Sequence, residues 1–313
     1  MLRAIAGGAL AAFAVTAVAH AQVPGHKQEA RHGAASAGAK GGGTKTEAEH
    51  AHAPVPSISC SPQSVGPQSP RDINQNGGEN RTAFTVAKSW NTMQLCNAHF
   101  HKNAEHRGIG FTKVASPTGH QCDAALSPVF KTPVAGAPNG VCEGTVKPGD
   151  TIEMHFVFTS CKDASPGPTL GACSTKSCRN PSLRVEARIF VLVNSHGNQH
   201  VPGLGSLAKV SEFGSLFGSH EHLPPVVVPS AARAVQYQGS TTNTAFDNSS
   251  TCSPAHVTWQ VGQSCTPLDI RSLQEWCEGN NPFREKEGNV MKPIEGHGAR
   301  ALVTNPKLLS AIK

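Results

Sequence analysis

Ten cysteines constrain this chain more than any other feature: Cys60, Cys96, Cys122, Cys142, Cys161, Cys173, Cys178, Cys252, Cys265 and Cys277. The number is even and no two stand in Cys-x-x-Cys spacing, which argues against a zinc ribbon or a thioredoxin-type motif. In an exported chain such a set reads as a disulfide framework. The pairing cannot be deduced from spacing, although Cys173 and Cys178 stand near enough in sequence to close a small local loop. The N-terminus supplies the export route. Arg3 precedes an apolar run from Ile5 to Val18, and Ala19-His20-Ala21 forms an A-x-A cleavage site. Residues 1–21 therefore read as a signal peptide, with the mature chain beginning near Gln22 in a secreted or periplasmic location. The run is short and rich in Ala and Gly, so no stable membrane span is expected.

Residues 22–58 carry no periodic apolar pattern. Gly41-Gly42-Gly43 and the surrounding Ala, Ser, Lys, Glu and His residues read as a flexible linker. His26, His32, His50 and His52 give that linker a second reading, as a metal-scavenging tail. Residues 59–313 have globular texture and read as one domain. The net charge of +6 is spread without long basic runs, which argues against a nucleic-acid partner.

Strand-like runs dominate this domain: Arg81–Val86, Thr151–Thr159, Leu183–Asn194, Pro224–Val228 and Val257–Val261. Leu183–Asn194 begins as an alternating strand and becomes continuously apolar, as a strand entering a core should. Gly, Pro, Asn and Ser clusters separate the runs. One helix is expected at Pro267–Cys277, where Leu268, Ile270, Leu273 and Trp276 share a side. The fold class is mainly β (α+β): a single domain on a large, mostly antiparallel central sheet with a few short helices.

Within this frame Asn97-Ala98-His99-Phe100-His101 stands out. On a strand, His99 and His101 project to one face, about 7 Å apart. A third imidazole on a neighbouring strand would complete a metal site, and Thr151–Thr159 supplies one. There Ile152, Met154, Phe156 and Phe158 form an apolar face, while Glu153, His155 and Val157 share the other. Neutral imidazoles leave a bound cation its full charge, and an open fourth position holds an acidified water. Asn97 stands two residues before His99, and Glu153 two before His155. Each is placed to accept the ring N–H that the metal does not use, fixing the tautomer. Two edge strands with polar outward faces remain the plainer reading of the same residues.

Several of these stretches resemble carbonic anhydrases. Asn97–His101 and Glu153–His155 look like the zinc strands of the alpha class. Gly66-Pro67-Gln68-Ser69-Pro70-Arg71-Asp72-Ile73 is similar to that class's Gln-Ser-Pro-Ile-Asp/Asn-Ile signature. Tyr237-Gln238-Gly239-Ser240-Thr241-Thr242 resembles its Tyr-x-Gly-Ser-Leu-Thr-Thr, and Asn281-Pro282-Phe283-Arg284 its late Asn-Phe/Trp-Arg-Pro element. The run from His99 to Glu105-His106, the cysteine richness, and Cys252-Ser-Pro-Ala-His-Val-Thr-Trp259 look closest to the delta class. The resemblance covers most of the domain, in the same order.

The resemblance implies an alpha-carbonic-anhydrase-like fold and a Zn2+ cofactor on His99, His101 and His155. It implies reversible hydration of carbon dioxide to bicarbonate and a proton by a zinc-bound hydroxide. Thr242 would be the gatekeeper hydroxyl, with Thr241 the runner-up, and Glu105 the carboxylate that receives its proton. Val157 would line the carbon dioxide pocket or serve as ordinary core. His106 competes with His155 as a ligand, and His106 and His120 are candidates for a proton shuttle. A disulfide between Cys60 and Cys252 is implied as well. The competing readings are a catalytically inactive zinc-binding or carrier protein of the same fold, a metal scavenger acting through residues 26–52, and a disulfide-rich adhesion domain.

Exported protein should begin at Gln22 when its N-terminus is sequenced. Retention of Met1–Ala21 on the purified chain would remove the cleavable-signal reading.

Overall fold

The computed structural model describes residues 58–61, 65–82, 84–115, 119–136, 140–142, 146–208, 233–241, 251–278, 282–283, 286–287, 290–291 and 305–312. Its centre is a five-stranded sheet. The strands are β1 (Gln94–Lys102), β2 (Thr151–Thr159), β3 (Leu183–Val193), β4 (Ala234–Ser240) and β5 (His256–Asp269), arranged β1-β2-β3-β5-β4. Pairing is antiparallel except between β3 and β5, which run parallel, so the sheet is mixed. The observed class is the expected one, mostly β with few helices.

Alternation along the strands divides the interior into two layers. Ile152, Met154, Phe156 and Phe158 of β2 turn one way, joining Phe100, Phe190, Leu192, Leu268 and Trp276. Val157 turns the other way and joins Val185, Ala187, Ile189, Val191, Val257, Trp259 and Val261. With both faces covered, β2 is buried throughout. That is why its sequence carries almost no exposed polar alternation.

Helix α1 (Ile270–Glu278) follows β5 directly, and Leu273 and Trp276 bury against the first layer. The sequence predicts this helix from Pro267, but Pro267, Leu268 and Asp269 extend β5, pairing with Val191, Leu192 and Val193. Sheet pairing outcompetes the helical periodicity over those three residues. Arg81–Val86 shows no strand among its described residues. That stretch instead lays its backbone across side chains of the sheet: Gln238 Nε2 donates to the Phe84 carbonyl at 2.6 Å. The Ala87 N–H donates to Thr258 Oγ1 at 2.9 Å. Pro224–Val228 lies outside the described residues.

All ten cysteines pair: Cys60–Cys252, Cys96–Cys173, Cys122–Cys265, Cys142–Cys277 and Cys161–Cys178. The implied Cys60–Cys252 bridge is present. The local Cys173–Cys178 loop is not, because each of these cysteines reaches a different strand end: Cys96 in β1 and Cys161 just after β2. Five bridges point to an oxidising, extracellular-type compartment. Among the described residues no helix is long and apolar enough to cross a membrane.

Phe156 is fully buried between facing layers. Phe156→Ala should destabilise the fold by about 3–5 kcal/mol through lost burial and a residual cavity, read from chemical denaturation with the disulfides intact. A cost near zero would mean that this layer is not closely packed.

Candidate metal centre

The register of β1 against β2 brings the histidines together. His99 lies directly opposite His155, and His101 opposite Glu153. A shift in that pairing between Leu95 and Asn97 marks a bulge at Cys96. Such a bulge re-aims the chain: Leu95 enters the first layer, while Cys96 packs in the second. Asn97, His99 and His101 then follow on the His155 face. Ring centroids of His99, His101 and His155 stand 5.0, 5.1 and 4.6 Å apart pairwise. One nitrogen from each lies within 4.8 Å of the other two.

Hydrogen bonds decide which nitrogen each ring presents. Asn97 Nδ2 donates to the Gly167 carbonyl at 2.9 Å, which turns Oδ1 toward His99 Nδ1 at 2.7 Å. His99 therefore carries its proton on Nδ1 and offers Nε2. His155 Nε2 stands 2.8 Å from Glu153 Oε1. A carboxylate only accepts, so His155 donates from Nε2 and offers Nδ1.

Glu153 is completely buried and takes two further donors, the His106 backbone N–H at 3.0 Å and His106 Nδ1 at 2.6 Å. Burial opposes its ionisation, but the charge and hydrogen bond of His106 and the bond from His155 hold its carboxyl well below the usual range. The other nitrogen of His106 meets the Tyr237 hydroxyl at 2.7 Å. Burial pushes the Tyr237 phenol far above its ordinary value, so it stays a neutral hydroxyl. His106 thus has both nitrogens engaged and orients Glu153. His106, Glu153 and His155 also form a second group whose ligand atoms lie within 4.8 Å of one another, and the His106 ring is fully buried. His120 is also buried and does not line the cavity below.

A cavity of about 30 Å³ opens over the three histidines, lined by Glu105, Val157, Leu170, Val185, Thr241 and Trp259 as well. Its walls are apolar on one side and carry a carboxylate and a hydroxyl on the other. The volume suits one or two water-sized species. Glu105 is 2% exposed and lies 3.9 Å from His101 Nδ1 and 4.0 Å from His155 Nε2. Burial would raise its pKa, but the Arg71 guanidinium, then His101 and His155, bring it down to about 2. Thr241 faces the cavity, whereas Thr242 lies outside the described residues. Three neutral imidazoles in a buried, partly apolar pocket form a donor set that fits zinc.

Sequence reasoning missed four contributors. Leu170 and Val185 give no signal beyond apolarity, whereas Trp259 ends the Cys252–Trp259 run that resembles the delta class without being marked there as a cavity residue. Arg71 gave one: it stands where the Gln-Ser-Pro signature has isoleucine, an odd place for a guanidinium.

Comparison with known proteins follows the same line. A family model described as delta carbonic anhydrase matches residues 90–272. Among solved structures, the alpha-carbonic anhydrase from Thermovibrio ammonificans, in complex with the inhibitor sulfanilamide, shares 16% identity over 72% of this chain and 85% of its own. Its TM-score of 0.23 carries no argument about the site. No curated protein matches the sequence at a significant level.

The depressed carboxyl of Glu105 has a pH signature. Its folded value lies below the ordinary 4.5, so the stabilisation it gives is complete above that value and lost as pH falls toward about 2. The thermal midpoint of metal-free protein should therefore drop through this acid window. In Glu105→Gln the drop should be smaller; an identical acid profile would show that Glu105 titrates normally.

Proposed function

The chain belongs to the delta carbonic anhydrase family, and from that premise we propose that His99, His101 and His155 hold one Zn2+ ion with which it hydrates carbon dioxide. The family makes the protein a carbonic anhydrase, with carbon dioxide and bicarbonate as its substrate pair. The zinc chemistry and the residue roles are our reading. The observation that carries it is the convergence of three imidazoles, His101 and His155 buried and His99 half-buried, with the tautomers of His99 and His155 set by Asn97 and Glu153.

Held by His99, His101 and His155, zinc would supply the Lewis acidity that lowers the pKa of water to about 7. The protein's own groups do the rest. Asn97 and Glu153 hold the rings so that their lone pairs converge, and the Glu153 charge raises the basicity of His155. Val157, Val185 and Leu170 offer an uncharged wall to an uncharged substrate, and they leave a product anion poorly solvated. Thr242 would accept a hydrogen bond from the attacking oxygen and donate its own proton to Glu105. Held ionised, Glu105 is always ready to accept. Orientation of this kind removes unproductive approaches before the reaction begins. Thr241 is the described member of that pair.

The chain's organisation is proposed as a signal peptide (1–21), a linker (22–58) and the catalytic domain (59–313), exported to the periplasm or the medium. An inactive zinc-binding relative is the second reading, and it differs at one point: its Thr–carboxylate pair would be broken. Glu105 on the cavity wall favours the enzyme.

Purified protein should contain one zinc per chain and hydrate carbon dioxide, while His155→Ala should lose both. Full zinc and full rate in the variant would remove His155 from the site. Zinc without turnover in wild type would select the inactive reading.

A further inference from the structure

The active-site carboxylate is held from outside the sheet. Arg71 is 1% exposed, and its Nη1 donates to Glu105 Oε2 at 3.0 Å across 34 positions of sequence. A guanidinium this deep is costly to bury and persists only where its geometry is fixed. Here the backbone fixes it. The Arg107 N–H donates to the Arg71 carbonyl at 2.6 Å, and the Ile73 N–H to the Arg107 carbonyl at 3.0 Å. Arg107 Nη1 also meets Asp72 Oδ2 at 2.6 Å. Residues 71–73 are thus stitched to the 105–107 stretch, with the buried ion pair inside and the Asp72–Arg107 pair at the rim.

The same segment reaches the end of β4. Ser69 Oγ donates to the Ser240 carbonyl at 2.6 Å and accepts from the Ser240 N–H at 3.0 Å. Gln68 Oε1 accepts from Ser240 Oγ at 3.0 Å and from the Ser253 N–H at 3.1 Å. Gly239 lets Ser69 approach, since a Cβ there would stand 2.4 Å from Ser69 Oγ. Four consecutive residues therefore hold both the strand end that leads into Thr241–Thr242 and the carboxylate proposed to work with it.

We propose that Arg71 is a positioning residue for turnover, engaging one oxygen of Glu105 so that the carboxylate stays aimed at the histidine cluster, while Gln68 and Ser69 fix Ser240 at the end of β4. This deepens the preceding reading and rests on it. Arg71 does not line the cavity. Its influence passes through Glu105. Without it, Oε2 of Glu105 loses the guanidinium donor, and the aim of the carboxylate toward the histidine cluster loosens.

The test compares Arg71→Met, Arg71→Lys, Glu105→Gln and the double variant Arg71→Met/Glu105→Gln, each assayed for zinc content, kcat and KM. Misplacement of a catalytic group typically costs about 10- to 100-fold. Arg71→Met should lose about that in kcat, with KM and the single zinc unchanged. Arg71→Lys keeps a charged donor for this single contact and should recover most of the rate, to within about fivefold of wild type. In the Glu105→Gln background, Arg71→Met should cost less than about twofold more, because residues acting as one unit are not additive. If Arg71→Met does not fold, Arg71→Gln, a neutral donor, takes its place with the same expected loss. Wild-type kcat in the neutral variant, equal loss in the lysine and neutral variants, full additivity with Glu105→Gln, or loss of zinc alongside rate would each overturn the proposal. An active wild type with an unimpaired Glu105→Gln would instead fail the underlying reading of Glu105, leaving a result distinct from these.

Discussion

A single buried carboxylate holds the centre together. Glu153 has no access to solvent and accepts from His155, from the His106 ring and from the His106 backbone. Stripped of these donors, an ionised carboxylate at this depth would be prohibitively costly. The donors therefore cannot leave, and they come from two different pieces of the fold. His155 is in β2, His106 follows β1, and Tyr237 of β4 closes the chain of bonds from the far edge of the sheet. The aim of the His155 ring is thus tied to the position of three separate segments.

Sidedness made much of this legible. Alternation along Thr151–Thr159 separates Glu153, His155 and Val157 from the Ile, Met and Phe residues between them, and the two interior layers are built on that division. Asn97 and Glu153 could be read as acceptors because a strand's i and i+2 positions share a face. What alternation cannot supply is the partner across space. Nothing local tells Arg71 that it will meet Glu105, or Cys173 that Cys96 lies nearer than Cys178. Register and long-range closure settle those pairings. Local pattern also misled where backbone groups had better offers: Arg81–Val86 has strand composition but its Phe84 carbonyl bonds to the Gln238 side chain, with the adjoining Ala87 N–H on Thr258, and Pro267–Asp269 has helical spacing but continues a parallel pairing.

The cavity's two characters follow from the sheet's edges and centre. Central strands β2, β3 and β5 supply Val157, Val185 and Trp259, apolar because both faces of those strands are covered. Segments flanking the sheet supply the carboxylate and the hydroxyl: Glu105 after β1, Thr241 after β4. The loop after β2, stapled by Cys96–Cys173 and Cys161–Cys178, adds Leu170 from above and uses the Gly167 carbonyl to settle which way the Asn97 amide faces.

The bridge topology also sets an order of assembly. Cys252, Cys265 and Cys277 pair with Cys60, Cys122 and Cys142, so each late cysteine closes on one far upstream. The parallel contact of β3 with β5 likewise waits for residues beyond 256. As the chain is made, only Cys96–Cys173 and Cys161–Cys178 can form early, locking the lip of the cavity before its far wall exists. Most of the oxidation must come after nearly all of the polypeptide has arrived, which ties maturation to whichever compartment supplies the oxidant.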